Sequence, residues 1–117
     1  MKYLLMIYAS EAFEQSQTEQ WEEQLIARYD SLVEKLQKEN VFLDGQRLSA
    51  TDTATSIQVR NGETLVSDGP FAETKEQLGG FFIVDCRDLD HATEIAAMIP
   101  TADYGTIEIR PLWLQEE

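Results

Sequence analysis

Met1-Lys2-Tyr3-Leu4-Leu5-Met6-Ile7-Tyr8 opens the chain, and the fold turns on this stretch. Residues 2 to 8 are almost continuously apolar and are bounded by Ser10-Glu11, which suits a strand buried on both faces. Successive side chains of a strand point to opposite sides of its sheet, so both sides of this one need cover. Helices can supply one cover. The other face is expected to pack against a second copy of the chain, for which the usual solution is a twofold dimer.

The pattern downstream supplies those helices. Ser16-x-x-Glu19 reads as a capping box and predicts a long helix starting there. Trp21, Leu25, Tyr29, Leu32 and Leu36 recur at three- and four-residue steps, with Ile26 and Val33 widening the stripe, while Glu22, Glu23, Glu34, Lys35 and Lys38 form a solvated face. Asn40 suits a left-handed terminator before Val41-Phe42-Leu43, Asp44-Gly45 marks a turn, and a short strand is expected from Gln46 to Ser49. Thr55, Ile57 and Val59 alternate with Ser56, Gln58 and Arg60. Asn61-Gly62 then separates them from Glu63 to Ser67, a two-residue hairpin signal. A strand follows from Phe81 to Asp85. Asp88 then caps a helix whose Leu89, Ala92, Ile95, Ala96 and Ile99 share one face and which ends before Pro100. In the last strand Ile107, Ile109, Pro111 and Trp113 alternate with Glu108, Arg110, Leu112 and Leu114. The order predicts an α+β fold of ferredoxin-like type, an antiparallel sheet with two helices on one face, in a single domain over residues 1–117.

Between the hairpin and the Phe81 strand lies Asp68-Gly69-Pro70-Phe71-Ala72-Glu73-Thr74-Lys75-Glu76-Gln77-Leu78-Gly79-Gly80. Asp before Gly-Pro favours a tight turn: the carboxylate can bond nearby amides, glycine allows positive φ, and proline fixes φ while removing a donor. Gly79-Gly80 leads into an apolar run and allows close approach of a backbone or ligand.

This segment, together with the first strand and the closing Ile107-Glu108-Ile109-Arg110-Pro111-Leu112, resembles the YCII-related proteins, in particular the subgroup named for its Asp-Gly-Pro-Phe motif. The resemblance runs over nearly the whole chain. It implies a dimeric α+β barrel built from ferredoxin-like protomers, with a cleft associated with enzymatic activity. It also implies an acid/base pair of an aspartate and a helix histidine, and this chain places Tyr29 near the histidine position. Members of the subgroup are often encoded beside sigma-type transcription factors, so a protein partner is the rival implication.

The residues allow two readings at most positions. Asp68 is the candidate acid/base group or a turn brace. Tyr29 is a hydrogen-bond donor to a ligand or a packed tyrosine with one satisfied bond, and with an ordinary pKa near 10 it is a poor base at neutral pH. Arg47 and Lys75 are candidate anion anchors. Glu73 would help position a substrate, although Glu73, Lys75 and Glu76 also read as a solvated charge cluster. Thr74 would bond a ligand or cap a local turn. Phe71 reads as a core anchor for the loop ahead of a stacking platform. Gly79 and Gly80 would admit substrate, or mark a bulge and close strand packing. Arg110 needs a partner in its apolar strand. His91 reads as a surface residue and Cys86 as a buried inert thiol.

Charge narrows the partners. The sequence carries 9 basic and 22 acidic residues, a net charge of −13, which repels a phosphate backbone and anionic membrane surfaces. No run approaches the ~20 apolar residues of a membrane span, and no signal peptide precedes the first strand, so an unprocessed cytoplasmic protein is expected. One histidine and one cysteine offer no zinc-type spacing. No phosphate loop of nucleotide type and no nucleophile elbow is present, so no cofactor or metal is expected. The sequence therefore points to a homodimer with a small-molecule cleft. Its chemistry would be lyase-, isomerase- or hydrolase-like proton transfer, and the alternative is a binding or regulatory module with a protein partner.

Overall fold

In strand β1 (Lys2–Ala9), Tyr3, Leu5, Ile7 and Ala9 are buried while Leu4, Met6 and Tyr8 are only half-buried. The structure, a computed structural model, describes residues 1–113. Leu114, the last position of the expected terminal alternation, lies outside the described residues. After β1 come α1 (Glu11–Gln15), α2 (Glu19–Lys38), β2 (Phe42–Arg47), β3 (Thr55–Arg60), β4 (Glu63–Asp68), β5 (Gln77–Asp85), α3 (Leu89–Met98) and β6 (Thr106–Pro111). Four strands form an antiparallel sheet in the order β2-β5-β1-β6, while β3 and β4 form a separate hairpin. The ferredoxin-like α+β expectation therefore holds.

Leu5 pairs with Phe82 and Ile109, and Tyr3 with Val84. These side chains face Leu32 and Leu36 of α2 and Ala92 and Ile95 of α3, which together make the core. The opposite face carries Leu4, Met6, Phe81 and Ile83, all half-buried. The strand expected to be buried on both faces is thus buried on one within the protomer.

Local signals set several boundaries. Asn40 sits at φ 58° and ends α2 in a Schellman motif, with Val41 N–H donating to Leu36 O at 2.9 Å and Asn40 N–H to Gln37 O at 3.1 Å. Both Leu36 and Val41 are buried, supplying the apolar contact of that motif. Asp88 caps α3 by accepting from His91 N–H at 2.8 Å, and Asn61 and Gly62 hold positive φ in the hairpin turn.

Two expectations fail. Ser16 does not open the long helix: it ends the added helix α1, its hydroxyl donating to Phe13 O at 2.7 Å, and Thr18 caps α2 by accepting from Trp21 N–H at 3.1 Å. Asp44-Gly45 is not a turn but the middle of β2, where Asp44 faces Ile83 and Gly45 faces Phe82. A Cβ on Gly45 would stand 2.8 Å from Phe82 Cδ1 and 2.9 Å from Phe42 Cζ. The glycine makes room for two packed rings.

The β3–β4 arm is nearly all exposed, only Ser56 being half-buried. The chain extends 50 × 48 × 18 Å, with a radius of gyration of 16.4 Å.

Candidate active site

The short helix α1 is held at its first residue, Glu11. Gln77 Oε1 accepts from Glu11 N–H at 2.9 Å, and the Glu11 carboxylate accepts from Thr51 N–H at 2.9 Å and Thr51 Oγ1 at 3.1 Å. This fixes Phe13 and Glu14 against the N-terminal half of α2. Phe13, Trp21 and Tyr104 then form an aromatic wall, with centroid separations of 6.0, 5.1 and 5.4 Å.

Behind the wall runs a line of polar groups. Tyr104 donates to Glu14 Oε2 at 2.7 Å, lies 3.4 Å from Thr101 Oγ1, and Thr101 Oγ1 shares a 2.5 Å hydrogen bond with the Tyr29 hydroxyl. Thr101 is 4% exposed, and the Tyr29 ring meets Phe82 edge-on at 6.1 Å. Burial raises the Tyr29 pKa above 10.0, only partly offset by the Thr101 hydrogen bonds; Glu14 raises it further and Arg47 lowers it. Burial also raises that of Tyr104, with the Glu14 carboxylate adding to the shift. Both phenols are therefore neutral near neutral pH, and among the described residues Glu14 is the one carboxylate hydrogen-bonded into the line. Arg47 stands at the same end of α2, 3.4 Å from Glu22 Oε1, with both side chains exposed.

Asp68 lies elsewhere. It ends β4 opposite Thr55, is exposed, and its carboxylate accepts no hydrogen bond among the described residues. The turn is instead closed by Gly69 N–H donating to Ala54 O at 2.7 Å and Ser56 Oγ donating to Gly69 O at 2.7 Å, with Gly69 at φ 88°. The turn brace expected of Asp68 is thus provided by backbone and Ser56, while Asp68 itself is paired with Thr55 as the last residue of β4. Within the protomer Tyr29 responds to Glu14 and Arg47, not to Asp68.

Phe71, expected as a core anchor, is 89% exposed. The positive-φ turn at Gly69 directs the chain away from the core. Gly79 is the extra residue of a β-bulge, Ile7 pairing with Gly80 and Tyr8 with Leu78. Gly80 permits close strand packing, since a Cβ there would stand 2.8 Å from Gln46 O. Thr74 closes a local turn by donating to Glu76 O at 2.5 Å. Glu73 is exposed. Lys75 and Thr74 line an open cavity of ≈ 1060 Å³ at the end of the half-buried sheet face, with Tyr8, Ser10, Glu76 and Thr106. Arg110 finds Glu108 at 3.5 Å, His91 Nδ1 accepts from Arg87 N–H at 3.1 Å, and burial raises the Cys86 thiol pKa. Among the described residues no three His, Cys, Asp or Glu side chains are grouped to hold a metal ion, and no helix is long and apolar enough to cross a membrane.

The expected groups thus fall into separate places: Tyr29 and Arg47 by the aromatic wall, Lys75 and Thr74 at the sheet end, and Asp68 and Phe71 at the base of the arm. Glu14, Thr101 and Tyr104 carry no sequence signal. Thr101 meets Tyr29 across 72 residues of chain, and Tyr104 meets Glu14 across 90.

The family model for the YCII-related domain matches residues 1–115. The chain belongs to the YCII-related domain family. An uncharacterized protein of Rhizobium meliloti (strain 1021) is similar to it, 34% identical over 116 residues that cover 97% of this chain and 94% of that one. In this YCII-related domain Glu14, Tyr104 and Tyr29 are joined through Thr101, and Asp68 lies outside that line within the protomer.

Proposed function

We propose that this YCII-related protein belongs to the Asp-Gly-Pro-Phe subgroup and works as a homodimer that binds a small polar or aromatic anion beside α1. In this reading Phe13 and Trp21 stack on the ligand, Arg47 holds its negative charge, and Tyr29 donates a hydrogen bond. The observation that carries it is the line Tyr29, Thr101, Tyr104 and Glu14, which holds two phenols neutral beside a single carboxylate. Such a set supports proton transfer: Glu14 takes a proton from the ligand, the neutral donors stabilise the oxyanion that develops, and Glu14 returns the proton. Asp68 takes part only if a second copy brings it to the site.

A panel of aromatic and aliphatic carboxylates, followed by calorimetry and by loss of exchangeable carbon-bound protons in deuterated buffer, tests this. Binding is expected to weaken at least about 10-fold in Arg47→Ala, and exchange to fall roughly 100-fold in Glu14→Gln with binding retained. Binding that is indifferent to Arg47→Ala and Trp21→Ala overturns the site. A second reading, a non-catalytic module for a protein partner such as a sigma-type transcription factor, is favoured by the exposed apolar arm.

A further inference from the structure

The arm is the part of the molecule its own chain leaves unexplained. An isolated two-stranded hairpin is marginal in water, yet β3 and β4 pair over Thr55–Arg60 and Glu63–Asp68 with, among the described residues, no third strand in their sheet. The register places Ile57 opposite Val66 and Val59 opposite Thr64, so these side chains share one face with Thr55 and Asp68. On that face Ile57 is 63%, Val59 58% and Val66 62% exposed.

Size makes the same point. A compact chain of 13.4 kDa exposes about 6500 Å², whereas this one exposes 8471 Å². Its radius of gyration of 16.4 Å exceeds the roughly 13 Å expected for its length. The excess of about 2000 Å² is more than the ~800 Å² each partner gives to a standard interface. Ile57, Val59, Val66 and Phe71 hold roughly 500 Å² of it, too little for a stable contact alone. The arm needs a second surface beside it.

We propose that the arm is a clasp for a second copy of this chain: its Ile57, Val59 and Val66 face lies on the partner copy beside the open sheet face, and reciprocally. This rests on the homodimer reading of the proposed function. Charge selects the occupant. In a chain of net charge −13, two copies repel wherever acidic surfaces meet. The centre of the arm face is uncharged, and the Leu4, Met6, Phe81 and Ile83 centre of the open sheet face is apolar, with Asp44 on one side of it and the Glu108–Arg110 pair on the other. A twofold axis lets both unmet surfaces be covered by one arrangement and covers each of them twice. The clasp also carries Asp68, on the same face of the arm, toward the partner.

Sedimentation equilibrium and amide hydrogen exchange on the parent, on Ile57→Ser/Val66→Ser and on Leu4→Glu test it. The arm residues are exposed in the protomer, so the double variant should keep the exchange protection of β1 and β5. Its dimer dissociation constant should rise at least about 100-fold, because each arm loses two anchors and the dimer has two arms. In the parent, arm amides should lose protection on dilution below the dissociation constant while β1 and β5 stay protected. A dissociation constant within about threefold of the parent, with Leu4→Glu monomeric, overturns the clasp and leaves the sheet-face dimer standing. Arm amides that exchange freely in the dimer do the same. A parent that is monomeric at micromolar concentration, including one that captures a foreign protein through the arm, overturns both.

Discussion

Replacing Thr101 by Val keeps the shape of a side chain that is 4% exposed and removes only its hydroxyl. The Tyr29 hydroxyl then loses the 2.5 Å partner that compensates its burial. A buried polar group left without that bond costs about 1–3 kcal/mol. Tyr29→Phe makes the reciprocal change but leaves Thr101 Oγ1 with the Tyr104 hydroxyl at 3.4 Å, so its cost should sit near the low end, about 1 kcal/mol. In the double variant neither hydroxyl is stranded by the other. Its cost should fall about 1 kcal/mol short of the sum of the single changes. For a chain of 117 residues, each kcal/mol lowers the thermal midpoint by about 4 °C. Urea titrations at one fixed protein concentration give the cycle without the concentration dependence of a dimer. Additivity within about 0.3 kcal/mol would falsify the hydrogen-bonded line on which the site is built.

Both raised phenols tie stability to alkaline pH. Their folded pKa values exceed the unfolded one of 10.0, so this contribution is fully present below pH 10.0 and is lost as pH rises toward the folded values. The urea midpoint should fall above pH 10, and less steeply in Tyr104→Phe. Gly45→Ala puts a Cβ 2.8 Å from Phe82 Cδ1 and should destabilise by about 1–3 kcal/mol through overpacking, read from the same titration. Adjacent residues of β1 should separate folding from association. Leu5→Glu buries a charge at a position 0% exposed and should leave no folded protein by circular dichroism. Leu4→Glu lies on the half-buried face and should stay folded.

The sequence by itself determined what short-range chemistry controls. Asn61-Gly62 and Asn40 adopt positive φ at low steric cost, the Asp88 carboxylate reaches an amide three residues on, and the α2 stripe follows the helical period. These signals, with the apolar first strand, were enough for an antiparallel sheet covered by two long helices, though not for α1 or the start of β2. Tertiary structure decided wherever two local solutions were close in energy or the partner lay far along the chain. Ser16 and Thr18 are both competent caps, and α1, held through Glu11 and Phe13, chose between them. Asp44-Gly45 has turn chemistry, but pairing with β5 and two rings above Gly45 keep it in a strand. Asp68 stood out in sequence because its turn is local, yet its carboxylate accepts no hydrogen bond among the described residues. The Glu14, Tyr104, Thr101 and Tyr29 line was invisible there, since hydrogen bonds spanning 72 and 90 residues leave no periodicity to read and exist only once helix and sheet have packed.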